Sequence, residues 1–249
     1  GFSGPRRPWA GSLRDYLLGV KIVSGRGKVL SFGGQVMKNV AGYDVSRLMA
    51  GALGTMGVLL EASFKVLPKP ALEKTLRFDL DETGATRKLG EWCQKPLPIS
   101  ATCWHRDELF VRLSGAGNEI ERSAKTLGGE TIDYADGLWR GIREHRSRFF
   151  EKPVSLWRLS LPATAPGLDL PGGHLVEWAG ALRWYATDVS ADTVRAAAEA
   201  VRGHATLFRG GDSPGPRFHP LPEKMQALQE RVRLAFDPQD IFNPGLAVR

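Results

Sequence analysis

Three glycines at a three-residue spacing, Gly51, Gly54 and Gly57, stand between a short amphipathic segment and an apolar run. Glycine lets the backbone turn tightly and lets another group approach its amides with no Cβ in the way. A loop of this kind can hold a phosphate or a flat ring. Lys38 and Tyr43 flank it. They read equally well as contacts to such a ligand and as a surface lysine with a tyrosine packed under the loop. The order helix, loop, strand excludes the dinucleotide fingerprint, whose loop follows a strand and opens a helix. Elsewhere the reactive residue types are scattered. The five histidines do not cluster, so no metal site is expected. Cys93 and Cys103 form neither a disulfide framework nor a ligand pattern; they read as ordinary half-buried residues in a reduced, intracellular setting.

The elements that must position this loop belong to a chain of 249 residues, 42% hydrophobic and 24% charged, which suits one large domain or two ordinary ones. The net charge of +7 comes with no nucleic-acid motif and no long run of one sign, so it reads as a solvated basic surface. No apolar run approaches the ~18 residues that span a bilayer.

Residues 1–12 are rich in Gly, Pro and Ser and read as turns. Strands are expected at 17–24 and 29–32, joined as a hairpin through residues 25–28. Asp44 can cap a short helix carrying Val45, Leu48 and Met49, and Gly51 ends it. A long strand over 57–67, apolar on both faces at its start and therefore buried, stops at Pro68-Lys69-Pro70, where a domain boundary is expected. Residues 75–134 then read as strand, helix, strand, strand, helix, strand, the ferredoxin-like order. A second set follows, with a helix over 136–149 that Gly141 can break, strands at 154–161, 174–178, 181–187 and 204–208, and an amphipathic helix over 192–202. Trp104, Trp157, Trp178 and Trp184 lie on these strands and read as core. The middle of the chain is thus expected to be an α+β sheet with its helices on one face. After a Gly/Pro-rich loop at 210–222, Leu221, Met225, Leu228, Val232 and Ala235 mark the inner face of a final helix.

Three stretches carry a resemblance: residues 3–34 (SGPRRPWAGSLRDYLLGVKIVSGRGKVLSFGG), residues 38–70 with KNVAGYD and GALGTMGV, and residues 236–245, FDPQDIFNPG. Together they resemble the FAD-binding subunits of glycolate oxidases, flavoproteins of the vanillyl-alcohol-oxidase type with a PCMH-type FAD domain. The resemblance covers essentially the whole chain. It implies an α+β fold in which residues 1–70 are the C-terminal part of the FAD domain. Residues 71–212 would form an antiparallel-sheet cap with ferredoxin-like units, and 213–249 would return to the flavin domain.

On that resemblance Gly54, Thr55, Gly57 and Val58 would lie against FAD, with Gly4, Gly11 and Ser12 near its isoalloxazine and Asn243 closing beside it. The family's FAD domain begins well upstream of the position matched by Gly1, and its diphosphate loop lies in that earlier part. The expectation is half of a flavin site and weak FAD binding by the chain alone. The implied reaction is oxidation of glycolate, a 2-hydroxy acid, to glyoxylate. Such a site needs a cation for the carboxylate and a base for the hydroxyl. Arg6, Arg7, Arg209, His204 and His219 are candidates, and none has a spacing that singles it out. The implied partners are a second flavin subunit and an iron–sulfur subunit, since two cysteines are too few for a cluster. The implied location is cytoplasmic, with any association at the inner membrane made through the complex. The alternative role is a non-catalytic structural subunit with a vestigial flavin site.

Overall fold

The computed structural model describes residues 3–34, 44–133, 135–151, 154–210 and 216–246. The one-turn helix α1 (Arg7–Ala10) falls in the stretch expected to hold only turns, and a second, α2 (Leu13–Tyr16), follows it and leads into β1 (Leu17–Val23). Then come β2 (Val29–Gly33), α3 (Val45–Met49), β3 (Val58–Phe64), β4 (Leu72–Asp79), α4 (Glu82–Cys93), β5 (Ile99–His105) and β6 (Glu108–Gly115). After α5 (Gly117–Leu127), β7 (Glu130–Ile132) and α6 (Asp136–Arg143) the chain forms β8 (Leu156–Ser160), β9 (Gly173–Glu177) and a 3₁₀ turn, Trp178–Gly180. It ends with β10 (Leu182–Ala186), α7 (Ala191–Ala200), β11 (His204–Arg209) and α8 (Glu223–Phe236). Two compact units result, one of residues 11–68 with 220 onward, the other of residues 3–10 with 69–219.

The first unit is an antiparallel sheet in the order β2-β1-β3. Leu17, Val20 and Ile22 alternate onto its inner face, where Leu30, Phe32, Met49, Ala62 and Phe236 meet them. Two expectations fail here. The strand after the glycine loop is not buried: among the described residues β3 pairs only with β1, and Val58, Leu59 and Leu60 are 51%, 54% and 50% exposed. The apolar stripe of the final helix is not an inner face either, because Leu221, Met225 and Leu228 are exposed and Arg233 is the buried residue of α8. The helix is instead held by its last turn. Phe236 packs edge-on against Phe32 with centroids 6.0 Å apart, and its carbonyl accepts the Gly25 N–H at 2.9 Å.

The second unit is an eight-stranded antiparallel sheet, β11-β8-β10-β9-β5-β6-β4-β7. It is two ferredoxin-like halves joined edge to edge. The order β7-β4-β6-β5 is mirrored by β11-β8-β10-β9, and β5 pairs with β9 at Cys103↔Glu177 and Trp104↔Val176. The second half has a loop where the first half has α4. Arg183, fully buried, takes the helix's place as organiser: it donates to the carbonyls of Pro166 (2.7 Å) and Ala165 and pairs with Glu82 at 3.1 Å.

Strand alternation sends Trp104, Leu109, Val176, Trp157, Leu159 and Tyr185 to one face under α4, α5 and α7. Cys103, Leu175, Leu182, Trp184 and Leu156 go to the other face, where Trp139 and Ile142 of α6 and the phenyl rings of Phe149 and Phe150 cover them. Helices therefore lie on both faces, not one. The helix expected over 136–149 ends at Arg143 because the carbonyl of Gly141 is taken by the N–H groups of Arg146 and Ser147 as the chain turns. Cys103 is fully buried and Cys93 exposed, so neither is half-buried as expected. The tryptophans expected in the core are there, each less than a tenth exposed.

Candidate functional site

The glycine loop follows α3 and opens β3. Asp44 caps α3 by accepting the Arg47 N–H at 3.1 Å. The chain then takes positive φ at Gly51 (90°), Leu53 (55°), Gly54 (72°) and Gly57 (150°). Four such residues in seven make a tight turn that side chains would strain. Thr55, 2% exposed, closes it from within: both its N–H and its hydroxyl donate to the Ala52 carbonyl, at 3.0 and 2.7 Å. A Cβ at Gly57 would sit 2.6 Å from the Val23 carbonyl, so glycine is required where the loop meets β1.

The C-terminal motif locks the loop from outside. Asp237 is fully buried; its Oδ2 accepts the Phe242 N–H at 2.7 Å and turns the chain after α8. Arg233 braces the same turn through Glu230 and Asp240. This delivers Asn243, itself at φ 45°, to the loop, where its Nδ2 donates to the Leu53 carbonyl at 2.9 Å. A Cβ on Gly54 would lie 2.8 Å from that Nδ2. The result is a ridge that carries no side chain at Gly51, Gly54 and Gly57 and the exposed side chain of Leu53 between them. Among the described residues, the N–H groups of Gly54, Met56 and Gly57 donate to no protein acceptor. A ridge of free backbone donors suits the polar edge of a flat or phosphorylated ligand. A separate concavity of about 170 Å³, lined by Gly19, Lys21, Ser31, Gly33 and Ser63, lies at the opposite end of this sheet.

Of the residues expected at the site, Gly54, Thr55, Gly57, Val58 and Asn243 come together. Thr55 and Asn243 hold the loop's shape with their side chains. Gly11 (φ 88°) and Ser12 belong to the same unit; the Ser12 N–H and hydroxyl both donate to Asp15, at 2.7 and 2.9 Å, and hold its carboxyl below the usual range. Gly4 belongs to the other unit, where its carbonyl accepts the Trp178 indole N–H at 3.1 Å. Lys38 and Tyr43 lie outside the described residues.

The proposed cations and bases all fall in the second unit. Arg209 donates to the Phe150 carbonyl. His219 is engaged by Glu199 at 3.2 Å. His204 is exposed, and partial burial, His219 and Arg158 together hold its pKa below the ordinary value. Arg6 is exposed. Arg7 lies over the Trp178 ring, 4.8 Å from its centroid.

Two residues were missed. Arg158 lies over the same ring at 5.2 Å. Glu177, 3% exposed, accepts the Trp184 indole N–H at 2.8 Å through Oε1, while Oε2 has no partner; burial pushes its pKa up to about 7. Their signal was available, since each is a charged residue interrupting an otherwise apolar strand, WRL and LVEW.

The chain is 44% identical over 245 residues to the glycolate oxidase subunit GlcE of Escherichia coli strain K12, which covers 98% of this chain and 69% of the relative. The chain belongs to the family of glycolate oxidase subunit GlcE. A shorter match, 46% over 66 residues, is to the glycolate oxidase subunit GlcD of Bacillus subtilis strain 168 (26% of this chain, 14% of the relative). In fold the chain resembles a solved alkyldihydroxyacetonephosphate synthase, with a TM-score of 0.60 at 11% identity over 98% of this chain. It spans 56% of that structure, so a little over half its length. No family model matches the chain. Among the described residues no helix is long and apolar enough to cross a membrane, and no group of acidic, histidine or cysteine side chains is arranged to hold a metal.

Proposed function

We propose that the chain is the GlcE-type, FAD-binding component of a glycolate oxidase, taking part in the oxidation of glycolate to glyoxylate and passing electrons to an iron–sulfur partner. The observation that carries this reading is the 44% identity to GlcE along nearly the whole chain, including the two segments that meet at the hydrogen bond between Asn243 and the Leu53 carbonyl. When bound, FAD supplies a two-electron acceptor. The backbone donors of Gly54, Met56 and Gly57 would hold its polar edge, Val58 would offer apolar contact, and Gly11 and Ser12 would complete the binding surface from the same unit. Gly4 is assigned to this group by resemblance to the family. Asn243 and Thr55 act as positioning residues that keep the ridge in its binding shape. A second flavin subunit is a partner in this reading, in line with the GlcD match. The expected location is cytoplasmic, with any membrane association made through the complex.

One observation favours a second reading, a non-catalytic partner with a vestigial site: the side chains of Ser12, Thr55 and Asn243 are all engaged by the protein itself. Asn243→Ala in the reassembled complex separates the two. The first reading expects less flavin per complex and slower glycolate oxidation with assembly intact. Unchanged flavin and turnover in an intact complex would favour the structural role.

A further inference from the structure

Among the described residues, the buried guanidinium groups of the second unit have partners, and half-buried Arg158 has none. Arg183 pairs with Glu82 and two carbonyls. Arg112 donates to Ser100 Oγ at 3.0 Å and lies 3.9 Å from Glu73. Arg195 donates to the carbonyls of Pro216 and Phe218. Arg158 sits in the middle of β8 and has no hydrogen bond or ion pair among the described residues; its guanidinium lies over the Trp178 ring. A half-buried cation without a counter-ion is costly, and proteins normally pair it or bind something to it. Arg7, an exposed residue, lies over the same ring and has no hydrogen bond or ion pair from its side chain among the described residues. Burial lowers the Arg158 pKa, and the nearby Arg7 charge lowers it further. The nearest opposing group, Glu177, is buried and fixed to Trp184 beyond ion-pair reach.

Trp178 is held firmly for this purpose. Its indole N–H donates to the Gly4 carbonyl, and it opens a turn in which Trp178, Ala179 and Gly180 all have positive φ (57°, 54° and 103°). Left-handed conformations at a tryptophan and an alanine are strained, and such strain gathers at binding sites. The Ala179 N–H is secured by Thr102 Oγ1 at 2.8 Å. Around Arg158 the sheet offers hydroxyls. Thr206 stands directly across from it on β11, and Ser160, two residues along β8, stands across from His204. Strand alternation puts Arg158, Ser160, Thr206 and His204 on one face. Two unpaired guanidiniums beside hydroxyl groups and a neutral imidazole match a small anion that also carries a hydroxyl.

We propose that Arg158 and Arg7, stacked on Trp178, form the binding site for the carboxylate of a short 2-hydroxy acid. The hydroxyl of that acid falls among Thr206, Ser160 and His204. Naming the acid as a 2-hydroxy acid rests on the functional reading above; the anion site itself rests on the geometry alone. The site lies wholly within the second unit.

The test is protection of arginines in the full chain from an arginine-selective dicarbonyl reagent, read peptide by peptide by mass spectrometry. It requires neither flavin nor turnover. Glycolate is expected to protect Arg158 and Arg7 and to leave the exposed Arg87 unprotected. No protection by glycolate, or protection by inorganic phosphate in its place, overturns the proposal. In the complex, Arg158→Gln is expected to raise KM for glycolate at least about tenfold, the loss of one charge-assisted contact, with a smaller change in kcat. An unchanged KM in a folded variant overturns it. Arg7→Gln alters an exposed side chain and carries the same test if Arg158→Gln does not fold. Loss of flavin binding with protection intact would sink the functional reading and leave the anion site standing; the reverse result would sink only the anion site.

Discussion

The two units handle apolar surface in opposite ways. The second buries Leu109, Val111, Leu113, Leu159 and Val194 completely and covers its sheet on both faces. The first has a core of three fully covered residues, while Val58, Leu59, Leu60, Val66, Leu67, Met225 and Leu228 stay between 44% and 87% exposed. What it keeps ordered is the turn architecture, where Thr55, Asp237 and Asn243 hold a ridge of glycines by hydrogen bonds. The second unit is thus built as a self-supporting scaffold, and the first as a hydrogen-bonded glycine loop on a thin support. All seven tryptophans fall in residues 3–10 and 69–219, so tryptophan emission follows the second unit alone.

The contrast can be broken most directly in the scaffold. Leu159→Ala removes a fully buried side chain between α7 and the sheet and is expected to cost about 2–5 kcal/mol, seen as an earlier urea transition in tryptophan emission. A cost below about 1 kcal/mol would mean that this core is not packed as described.

Next comes the buried carboxyl. The pKa of Glu177 is raised from 4.5 to about 7 by burial, so folding favours its protonated form. Its favourable contribution is complete below pH 4.5 and is lost as pH rises to about 7, a change of about 3 kcal/mol at most. His145 has the opposite slope: burial, followed by the Arg209 charge, lowers its pKa from 6.5 to about 4, so stability falls as pH drops through that range. Comparing wild type with Glu177→Gln cancels the histidine. The variant is expected to gain stability relative to wild type between about pH 5 and pH 8, and a constant difference across that range would contradict the burial of Glu177.

In the first unit the expected effects are smaller. Asn243→Ala removes the bond to the Leu53 carbonyl, worth about 1 kcal/mol. Flavin affinity is expected to fall about fivefold with the tryptophan transition unmoved. Met225→Ala, on the open face of α8, should change stability by no more than about 0.5 kcal/mol. A large loss there would show that something covers this face in solution.

Much of this was readable from sequence, for physical reasons that also explain the failures. Trp157, on the strand expected over 154–161, was read as core, and it is buried together with Leu159 and Leu161. The strand–helix–strand–strand–helix–strand order led to the first ferredoxin-like half, in which the helices α4 and α5 carry the chain across the sheet and β4 pairs with β6 and β7. The same periodicity misled at α8, since a stripe of Leu221, Met225 and Leu228 reveals an apolar side and not whether anything packs on it. The loop-for-helix exchange in the second half depends on Arg183 reaching Glu82, a contact between distant parts of the chain. At the glycine loop the residue types were legible, but not the division of labour in which Thr55 and Asn243 shape the turn while the backbone faces outward. Arg158 was passed over because a charged residue in a strand is ordinarily assigned to solvent.

The central claim is that the glycine ridge at residues 51–57, held by Asn243, is a flavin-binding surface. Amide hydrogen exchange of the full protein with and without FAD tests it at the residues concerned. The account predicts slower exchange at Gly54, Met56 and Gly57 when FAD is added, and a weaker response in Asn243→Ala. Bound flavin with no change in exchange at these amides would contradict it.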